Sequence, residues 1–307
     1  AQRGRFRQFD QCDIDVIGSE KLSLANDAQM VAIIAQIFEK LMSEQKFKIK
    51  INNRKILTGF FAAFDADPTE FKKILDFVDN LEKTPNAKLA GHPIEFQERI
   101  LEFVEMSGSA DEILGKLKNF SDHELFQTGV AELSEVVQNL RAMGISENLW
   151  TIDLRVARGL DYYTGTVFEA IFTEHERIGS LAGGGRYDDL AEVFTGKKLP
   201  GVGISIGLTR LLWQLFDAKI ISPERASSSD VIVLSRSPEV FSKSLEIGEK
   251  IRNAGIPTEV FFEPKKIQKQ FDFAKKMGIP CRVIVGDDFV VECDDENLRA
   301  MISDLVK

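Results

Sequence analysis

The sequence lacks the features of membrane, secreted and metal-clustering proteins. No apolar run approaches the roughly 20 residues that span a bilayer, which argues against a membrane protein. Ala1–Asp10 is basic and polar with no apolar stretch behind it, so we do not interpret it as a signal peptide. The three cysteines form no C-x-x-C pair, and we therefore expect a reducing, cytoplasmic location without a disulfide framework or thiolate zinc site. The three histidines are far apart, which argues against a His-rich metal cluster.

Acidic residues outnumber basic ones, 48 to 39, and tyrosine is scarce. The net charge of −9 disfavours a protein that coats nucleic acid by non-specific electrostatics, although a local basic patch remains compatible with a specific RNA partner. Only three tyrosines stand against 23 phenylalanines, and two of them, Tyr162 and Tyr163, are adjacent. This pairing draws attention to the region that contains them.

The length of 307 residues predicts two domains, because a single core rarely grows past roughly 250–300 residues. In the first part we predict, in order, a strand within 1–18, a helix over 26–46, a strand with an Asn52-Asn53 turn over 48–57, helices over 68–143, glycine-rich strands over 150–206 and a helix over 208–216.

The composition changes again after this helix. Ser222–Asp230 contains a proline and three consecutive serines, which is typical of a linker. Strands then alternate with helices, which predicts a small parallel α/β domain. The expected strands are 231–234, 258–262 and 281–285, and the expected helices are 238–254 and 266–277. Val290–Asp295 is expected to pass straight into a final helix.

The first segment with chemical potential is Arg3–Asp15. With the period of a strand, one face carries two arginines followed by an amide and carboxylates, at Arg5, Arg7, Phe9, Gln11, Asp13 and Asp15. Guanidinium groups suit phosphate oxygens, and a carboxylate beside an amide suits an ammonium group. The alternative is an edge strand with a solvated charged face.

Two further segments combine glycines with aromatic residues. Arg155–Glu169 contains the tyrosine pair between Gly159 and Gly165, and tyrosines of this kind line ligand pockets. Gly179–Asp188 contains three consecutive glycines, which remove side chains where something approaches the backbone closely. A hairpin with aromatic packing and a flexible loop are the respective alternatives.

The fourth segment is Pro200–Arg210. Apolar residues alternate with Gly201, Gly203, Ser205 and Gly207, so one face is nearly bare backbone and could support a planar ring such as adenine. Arg210 follows at a helix start, within reach of phosphates. The glycines lie within the strand and not in the turn after it, which argues against a dinucleotide site.

In this order the four segments resemble histidyl-tRNA synthetase, a family of class II aminoacyl-tRNA synthetases. Arg5–Gly18 is similar to the second half of motif 2, Arg158-Gly-Leu-Asp-Tyr-Tyr-Thr-Gly to the histidine-specific signature, Ala182–Asp188 to the glycine-rich strand and Gly201–Arg210 to motif 3. The resemblance implies an α+β fold, with an antiparallel class II sheet flanked by helices. It implies a catalytic core over 1–228 with a helical insertion at about 66–145, and an anticodon-binding α/β domain over 229–307.

The resemblance also implies a reaction. It is the ATP-dependent ligation of L-histidine to tRNA(His) through a histidyl-adenylate, by a homodimer with Mg²⁺ on the ATP. The implied histidine site comprises Gln11, Asp15, Arg158, Tyr162 and Tyr163, with Arg158 as the catalytic residue that bridges the histidine carboxylate and the α-phosphate. The implied ATP site comprises Arg5, Gly201, Gly203, Gly207 and Arg210.

Two departures from the family pattern bear on these expectations. By the resemblance the sequence begins inside motif 2, so motif 1 and the first arginine of motif 2 are not among its residues. At the other end, Val290–Asp295 is expected to pass straight into the final helix, where the family usually has another strand pair.

Non-catalytic relatives also exist, as a regulatory subunit of histidine biosynthesis and as a tRNA-sensing domain of a stress kinase. Such relatives tend to lose signature residues, whereas all of them are present here: Gln11, Asp15, Arg158, Tyr162, Tyr163 and Arg210.

Overall fold

The computed structural model describes residues 6–42, 46–64, 66–80, 89, 93–156, 162–174, 179–190, 192, 196–222, 225–263 and 265–306. The chain divides into two compact units, 1–220 and 221–307.

The first unit is built on a six-stranded sheet. Its strands are β1 (Cys12–Ile17), β2 (Phe47–Asn53), β3 (Trp150–Ile152), β4 (Thr166–Phe172), β5 (Ala182–Tyr187) and β6 (Gly201–Ile206). Their order across the sheet is β1-β6-β5-β4-β2-β3, and every neighbouring pair is antiparallel except β2 with β3. The antiparallel sheet expected from the resemblance is confirmed.

Helices accompany this sheet throughout the first unit. They are α1 (Ala25–Leu41), α2 (Arg54–Ala63), α3 (Phe71–Asn80), α4 (Ile94–Val104), α5 (Ala110–Lys118), α6 (Glu124–Ala142) and α7 (Leu208–Asp217). The apolar stripe of α1 is buried against the sheet, since Met30, Ile34 and Phe38 are fully enclosed. The expected helical character of 68–143 holds over the part that the structure describes.

The interpretation of Asn52-Asn53 as a turn within a strand was wrong. Strand β2 ends at Asn53 and helix α2 begins at the next residue, with the Asn53 side chain accepting a hydrogen bond from the Lys55 amide at 2.9 Å. Asparagine favours both turns and helix N-caps, because its side chain competes for nearby backbone amides in either setting. The following apolar residues, Ile56 and Leu57, therefore belong to a helix and not to a strand.

The abundant phenylalanines form the core beneath the helices. Phe60 stacks on Phe103 with ring centroids 4.6 Å apart, and Phe120 and Phe126 extend the cluster. Helices α2 and α6 approach closely because glycines lie at their contact: a Cβ on Gly129 would stand 2.7 Å from the Ile56 nitrogen. Glu132 of α6 also binds the Asn53 side chain and Lys55, which ties α6 to the start of α2.

The second unit is a four-stranded α/β domain. Its strands are β7 (Val231–Ser235), β8 (Thr258–Val260), β9 (Cys281–Val285) and β10 (Phe289–Cys293), and its helices are α8 (Phe241–Asn253), α9 (Ile267–Met277) and α10 (Glu296–Val306). The order is β10-β9-β7-β8, with β8, β7 and β9 parallel. The expected alternation is confirmed, with boundaries that differ by at most a few residues.

Two sequence expectations for this unit were wrong. Val290 and its neighbours do not pass straight into a helix but form β10, which pairs antiparallel with β9. That register places Cys293 opposite Cys281, and the two sulfurs form a disulfide, whereas Cys12 is free and exposed. The cysteine spacing gave no indication of this pairing, because it arises from a strand that we did not predict.

The supposed linker is also ordered in part. Arg225 binds Asp230 at 2.6 Å, and the Ser227 amide donates to the Met277 carbonyl at the end of α9. These residues therefore pack with the second unit. None of the described helices is long and apolar enough to cross a membrane.

Candidate functional site

A cavity of about 620 Å³ opens on one face of the first sheet. Strands β1, β5 and β6 form its floor, and the tyrosine pair that precedes β4 forms one wall. Its size falls within the range of small-molecule sites. The polar and charged residues that line it are Asp10, Gln11, Asp13, Asp15, Tyr162, Tyr163, Ser180, Tyr187, Ser205 and Arg210.

Alternation along β1 aims its polar residues into this cavity. Gln11, Asp13 and Asp15 line it, as expected for one face of a strand. The Gln11 amide donates to the Ser205 hydroxyl at 2.6 Å, and Asp15 lies directly opposite Gly203 in the β1–β6 pairing. The sheet register thus holds an amide and two carboxylates side by side.

The glycines of β5 and β6 make room for these side chains. A Cβ on Gly203 would overlap with the Asp15 carboxylate, and one on Gly201 would overlap with the Tyr187 ring. A Cβ on Gly185 would stand 2.8 Å from the Tyr163 ring. The strip over 201–207 is therefore less bare than the sequence suggests: Gly203 and Gly207 line the cavity, whereas Gly201 lies beneath Tyr187 and is not among the lining residues.

The three tyrosines meet at this cavity. The rings of Tyr162 and Tyr163 lie 4.6 Å apart, and Tyr162 also contacts Tyr187 edge-on at 6.2 Å. The Tyr187 hydroxyl donates to Asp15 at 2.6 Å. Burial and this hydrogen bond raise the pKa of Tyr187, so its hydroxyl stays protonated and orients the carboxylate.

Tyr187 is the residue that the sequence interpretation missed. It is the third tyrosine of a tyrosine-poor chain, and it follows Gly183 and Gly185 on the same face of β5. This alternation can be read from the sequence. The hydrogen bond between Tyr187 and Asp15 cannot, because Asp15 lies 172 residues earlier in the chain.

A buried ion pair supports β5 from the opposite face. The Nε and Nη2 atoms of Arg186 donate to the two carboxylate oxygens of Asp27 in α1, at 3.1 and 2.6 Å, and neither side chain is appreciably exposed. Burial raises the pKa of the Asp27 carboxyl, and the hydrogen bonds from Arg186 oppose that shift. Arg186 also contacts Asp188, whose carboxylate accepts a hydrogen bond from Thr164 at 2.6 Å. The network therefore links α1, β5 and the segment after the tyrosine pair.

Arg210 supplies positive charge to the cavity. It lies in the first turn of α7, and the start of this helix is fixed to Asp10 by two hydrogen bonds between Asp10 and Thr209. A Cβ on Gly179 would stand 3.1 Å from the Arg210 Nη2 atom, so this glycine lets the guanidinium approach the backbone. The lining of the cavity thus includes both carboxylates and a guanidinium.

Two predicted site residues, Arg5 and Arg158, lie outside the described residues. Gly201 is described but does not line the cavity, and the remaining seven do: Gln11, Asp15, Tyr162, Tyr163, Gly203, Gly207 and Arg210. Carboxylates and an amide can bind an ammonium group, phenolic hydroxyls can hydrogen-bond a polar ring, and a guanidinium can bind phosphate oxygens. Among the described residues no group of three or more His, Cys, Asp and Glu side chains could hold a metal ion.

Comparisons with known proteins agree with this arrangement of an antiparallel sheet and a separate α/β domain. The family model for histidyl-tRNA synthetase matches residues 1–211, and the model for an anticodon binding domain matches 230–301. A histidine–tRNA ligase from Nostoc sp. is 45% identical over 298 residues, which are 94% of this chain and 64% of that protein. One from Stenotrophomonas maltophilia is also 45% identical, over 94% of this chain and 65% of that protein.

Solved structures of histidyl-tRNA synthetases also match this chain. The crystal structure of histidyl-tRNA synthetase from Nostoc sp. is 40% identical, with a TM-score of 0.73 over 97% of this chain and 75% of that one. An S. aureus histidyl-tRNA synthetase at 19% identity and a TM-score of 0.55 shares the fold. The sheet is thus that of a class II aminoacyl-tRNA synthetase. The chain belongs to the histidyl-tRNA synthetase family, and it spans 64% of the length of the Nostoc relative.

Proposed function

We propose that the protein is a histidine–tRNA ligase, which joins L-histidine to tRNA(His) at the expense of ATP. The observation that carries this proposal is the single cavity in which the Gln11–Asp15 face, the three tyrosines and Arg210 meet. The amide and carboxylate can bind the ammonium group of an amino acid, and the tyrosines can bind a polar ring. The guanidinium of Arg210 can bind phosphates in the same cavity.

In the first step the histidine carboxylate attacks the α-phosphate of ATP, giving histidyl-adenylate and pyrophosphate. Gln11 and Asp15 hold the histidine ammonium, and Tyr162 and Tyr163 surround the imidazole. The Tyr187 hydroxyl keeps the Asp15 carboxylate in place. This positioning contributes to the rate because two anions must meet at a defined geometry.

The nucleotide lies on the other side of the cavity. Arg210 and Arg5 contact the triphosphate, and the strand around Gly203 and Gly207 supports the adenosine. We assign Mg²⁺ to the ATP phosphates, as the resemblance to the family implies. The ion neutralises phosphate charge when bound. In the second step a hydroxyl of the terminal ribose of tRNA attacks the histidyl carbonyl, the acyl–phosphate bond breaks and AMP leaves.

The rival assignment is a non-catalytic relative that binds histidine or tRNA without forming the adenylate. A Bacillus halodurans protein titled as a regulatory subunit/histidyl-tRNA synthetase has this fold at 18% identity, which bears on the fold alone. The retained set of Gln11, Asp15, the tyrosines and Arg210 in one cavity favours the ligase. Binding of histidine and ATP by calorimetry tests both substrates separately, and failure of ATP to bind would favour the rival.

We propose that residues 229–307 bind the anticodon. The matched anticodon-binding model and the separate compact unit support this assignment. Anticodon bases are read by stacking and edge hydrogen bonds, which need no strongly positive domain. Deletion of 229–307 is expected to weaken tRNA charging far more than adenylate formation, measured as aminoacylation against pyrophosphate exchange. Equal loss of the two activities would contradict a separate role.

We propose that the full-length protein is a homodimer related by a two-fold axis. The resemblance to the histidyl-tRNA synthetase family supports this proposal. Sedimentation at micromolar concentration is expected to give a dimer, and a monomer alone would refute the proposal.

A further inference from the structure

A buried asparagine fixes the segment that leads towards the tyrosine pair. Asn52 has no solvent exposure, and its side-chain nitrogen donates to the carbonyl oxygens of Leu154 and Val156, both at 3.1 Å. Its side-chain oxygen accepts from the Asn53 amide at 2.8 Å. Both donor hydrogens and one acceptor position of the amide are therefore in use, none of them by solvent.

These bonds begin where the backbone ladder between β2 and β3 ends. The last pair of that ladder is Ile51 with Ile152, followed by a bond from the Asp153 amide to the Ile51 carbonyl at 3.0 Å. After this last backbone hydrogen bond, the Asn52 side chain donates hydrogen bonds to the carbonyl oxygens of Leu154 and Val156. It thus extends the sheet by side-chain contacts over a segment that has left the strand.

The held segment contacts a wall of the cavity. Val156 packs with Tyr163 and Val167 in a buried cluster, and Tyr163 lines the cavity. Val167 lies opposite Asn52 in the β2–β4 pairing. The Tyr163 ring therefore rests against Val156 on one side and near Gly185 on another, and the position of Val156 depends on Asn52.

We propose that Asn52 is a positioning residue of the histidine site, which sets the place of Tyr163 through the backbone of Leu154–Val156. The proposal rests on the proposed function for its substrate, since it assigns the effect to histidine binding. The alternative is a purely structural role, in which Asn52 only satisfies buried carbonyls and its loss lowers stability without a specific effect on the cavity.

Asn52→Asp tests this directly, because it keeps the shape and removes both donors. At neutral pH the introduced carboxylate would face two carbonyl oxygens, which repel it and displace the segment. We expect faster hydrogen exchange of the amides over 153–156 and about a tenfold or greater loss of histidine affinity. The protonated carboxyl can donate one hydrogen bond, so affinity relative to the unmodified protein should recover from about pH 8 to about pH 6.

The pH comparison is made as a ratio of variant to unmodified protein. The charges near the segment, Lys50, Asp153 and Arg155, are the same in both proteins. Arg155 and Lys50 are paired with Asp153, and although burial alone would raise the pKa of Asp153, these partners hold it below its ordinary value. Asp153 therefore stays ionised throughout the range from about pH 6 to about pH 8 and does not contribute to the pH dependence.

Asn53→Ala is the matched control. Asn53 is the adjacent, equally buried asparagine, but its side chain caps α2 and binds Glu132, not the 154–156 segment. We expect this variant to lower Tm while histidine affinity and exchange over 153–156 stay unchanged. If Asn52→Asp does not fold, Asn52→Ser, which retains one donor, replaces it in the exchange and affinity measurements. A serine does not titrate, so this variant is compared with Asn53→Ala at one pH only.

The results separate this inference from the proposed function. Unchanged exchange over 153–156 in the folded Asn52 variant, or equal loss of histidine affinity in the Asn52 and Asn53 variants without recovery at low pH, would overturn the positioning role. If the unmodified protein itself fails to bind histidine, the proposed function is wrong and the histidine-site role of Asn52 falls with it. In that case the amide exchange still shows whether Asn52 fixes the segment.

Discussion

Replacement of Arg158 by alanine is expected to slow histidine-dependent pyrophosphate exchange by about two orders of magnitude or more, as for loss of a preorganised transition-state donor. By the resemblance this guanidinium bridges the histidine carboxylate and the α-phosphate. It stays charged at physiological pH and offers donors to both anions. Histidine and ATP binding should change less than the rate, and Arg158→Lys should restore little, because an ammonium group cannot span both anions.

The matched control for Arg158 is Arg155→Ala. Arg155 lies three residues earlier, and its guanidinium binds Asp153 at 2.8 Å. Its loss leaves Asp153 paired with Lys50 and should change the exchange rate little. The competing interpretation makes Arg158 a surface ion-pair partner of Asp153 or Asp161, worth roughly 0–1 kcal/mol. Asp153 already has two cationic partners, Lys50 and Arg155, which argues against this interpretation. A near-normal exchange rate in Arg158→Ala or Arg158→Lys would contradict the bridging role.

The second large effect is expected from a single added methyl group at Gly203. In Gly203→Ala the new Cβ would occupy the position of the Asp15 carboxylate, which must then move out of the cavity. Asp15 would lose its hydrogen bond from Tyr187, and the ammonium site would be distorted. We expect kcat/KM for histidine to fall by about 100-fold, the scale of an ångström-sized misplacement.

Gly115→Ala controls for the loss of a glycine. Gly115 lies in α5, far from the cavity in sequence, and an added Cβ there meets nothing within 4 Å. This variant should keep full activity and gain roughly 0.5–1 kcal/mol of stability from reduced backbone entropy. A Gly203→Ala protein with an unchanged KM for histidine would show that Asp15 does not bind the substrate.

The sequence predicts most elements of this fold because their periodicity is local. The apolar stripe of α1 and the alternation in β1 need no partner to be recognised. Strand β10 escaped prediction because it is short and partly exposed, and it forms by pairing with β9. At Asn53 the local sequence is compatible with a turn and with a helix cap, and the choice depends on contacts with α6.

The same distinction holds for the cavity. Gln11 and Asp15 follow from strand alternation, and Arg210 from its place at a helix start. Tyr187 and Asn52 did not emerge, because their roles depend on partners 172 and 102 residues away. Glycine spacing suggested a bare shelf, but only the sheet register reveals that Asp15 and Tyr187 lie over two of those glycines.

The central claim, that this cavity forms histidyl-adenylate, is tested most directly by ATP–pyrophosphate exchange in the full-length protein. Radiolabelled pyrophosphate should enter ATP when histidine is present, and should not do so with other amino acids, because the ammonium site and the tyrosines must be filled together. The exchange should fall sharply in Gly203→Ala and remain in Gly115→Ala. Exchange that is absent, that proceeds without histidine, or that is driven equally by another amino acid would contradict the account.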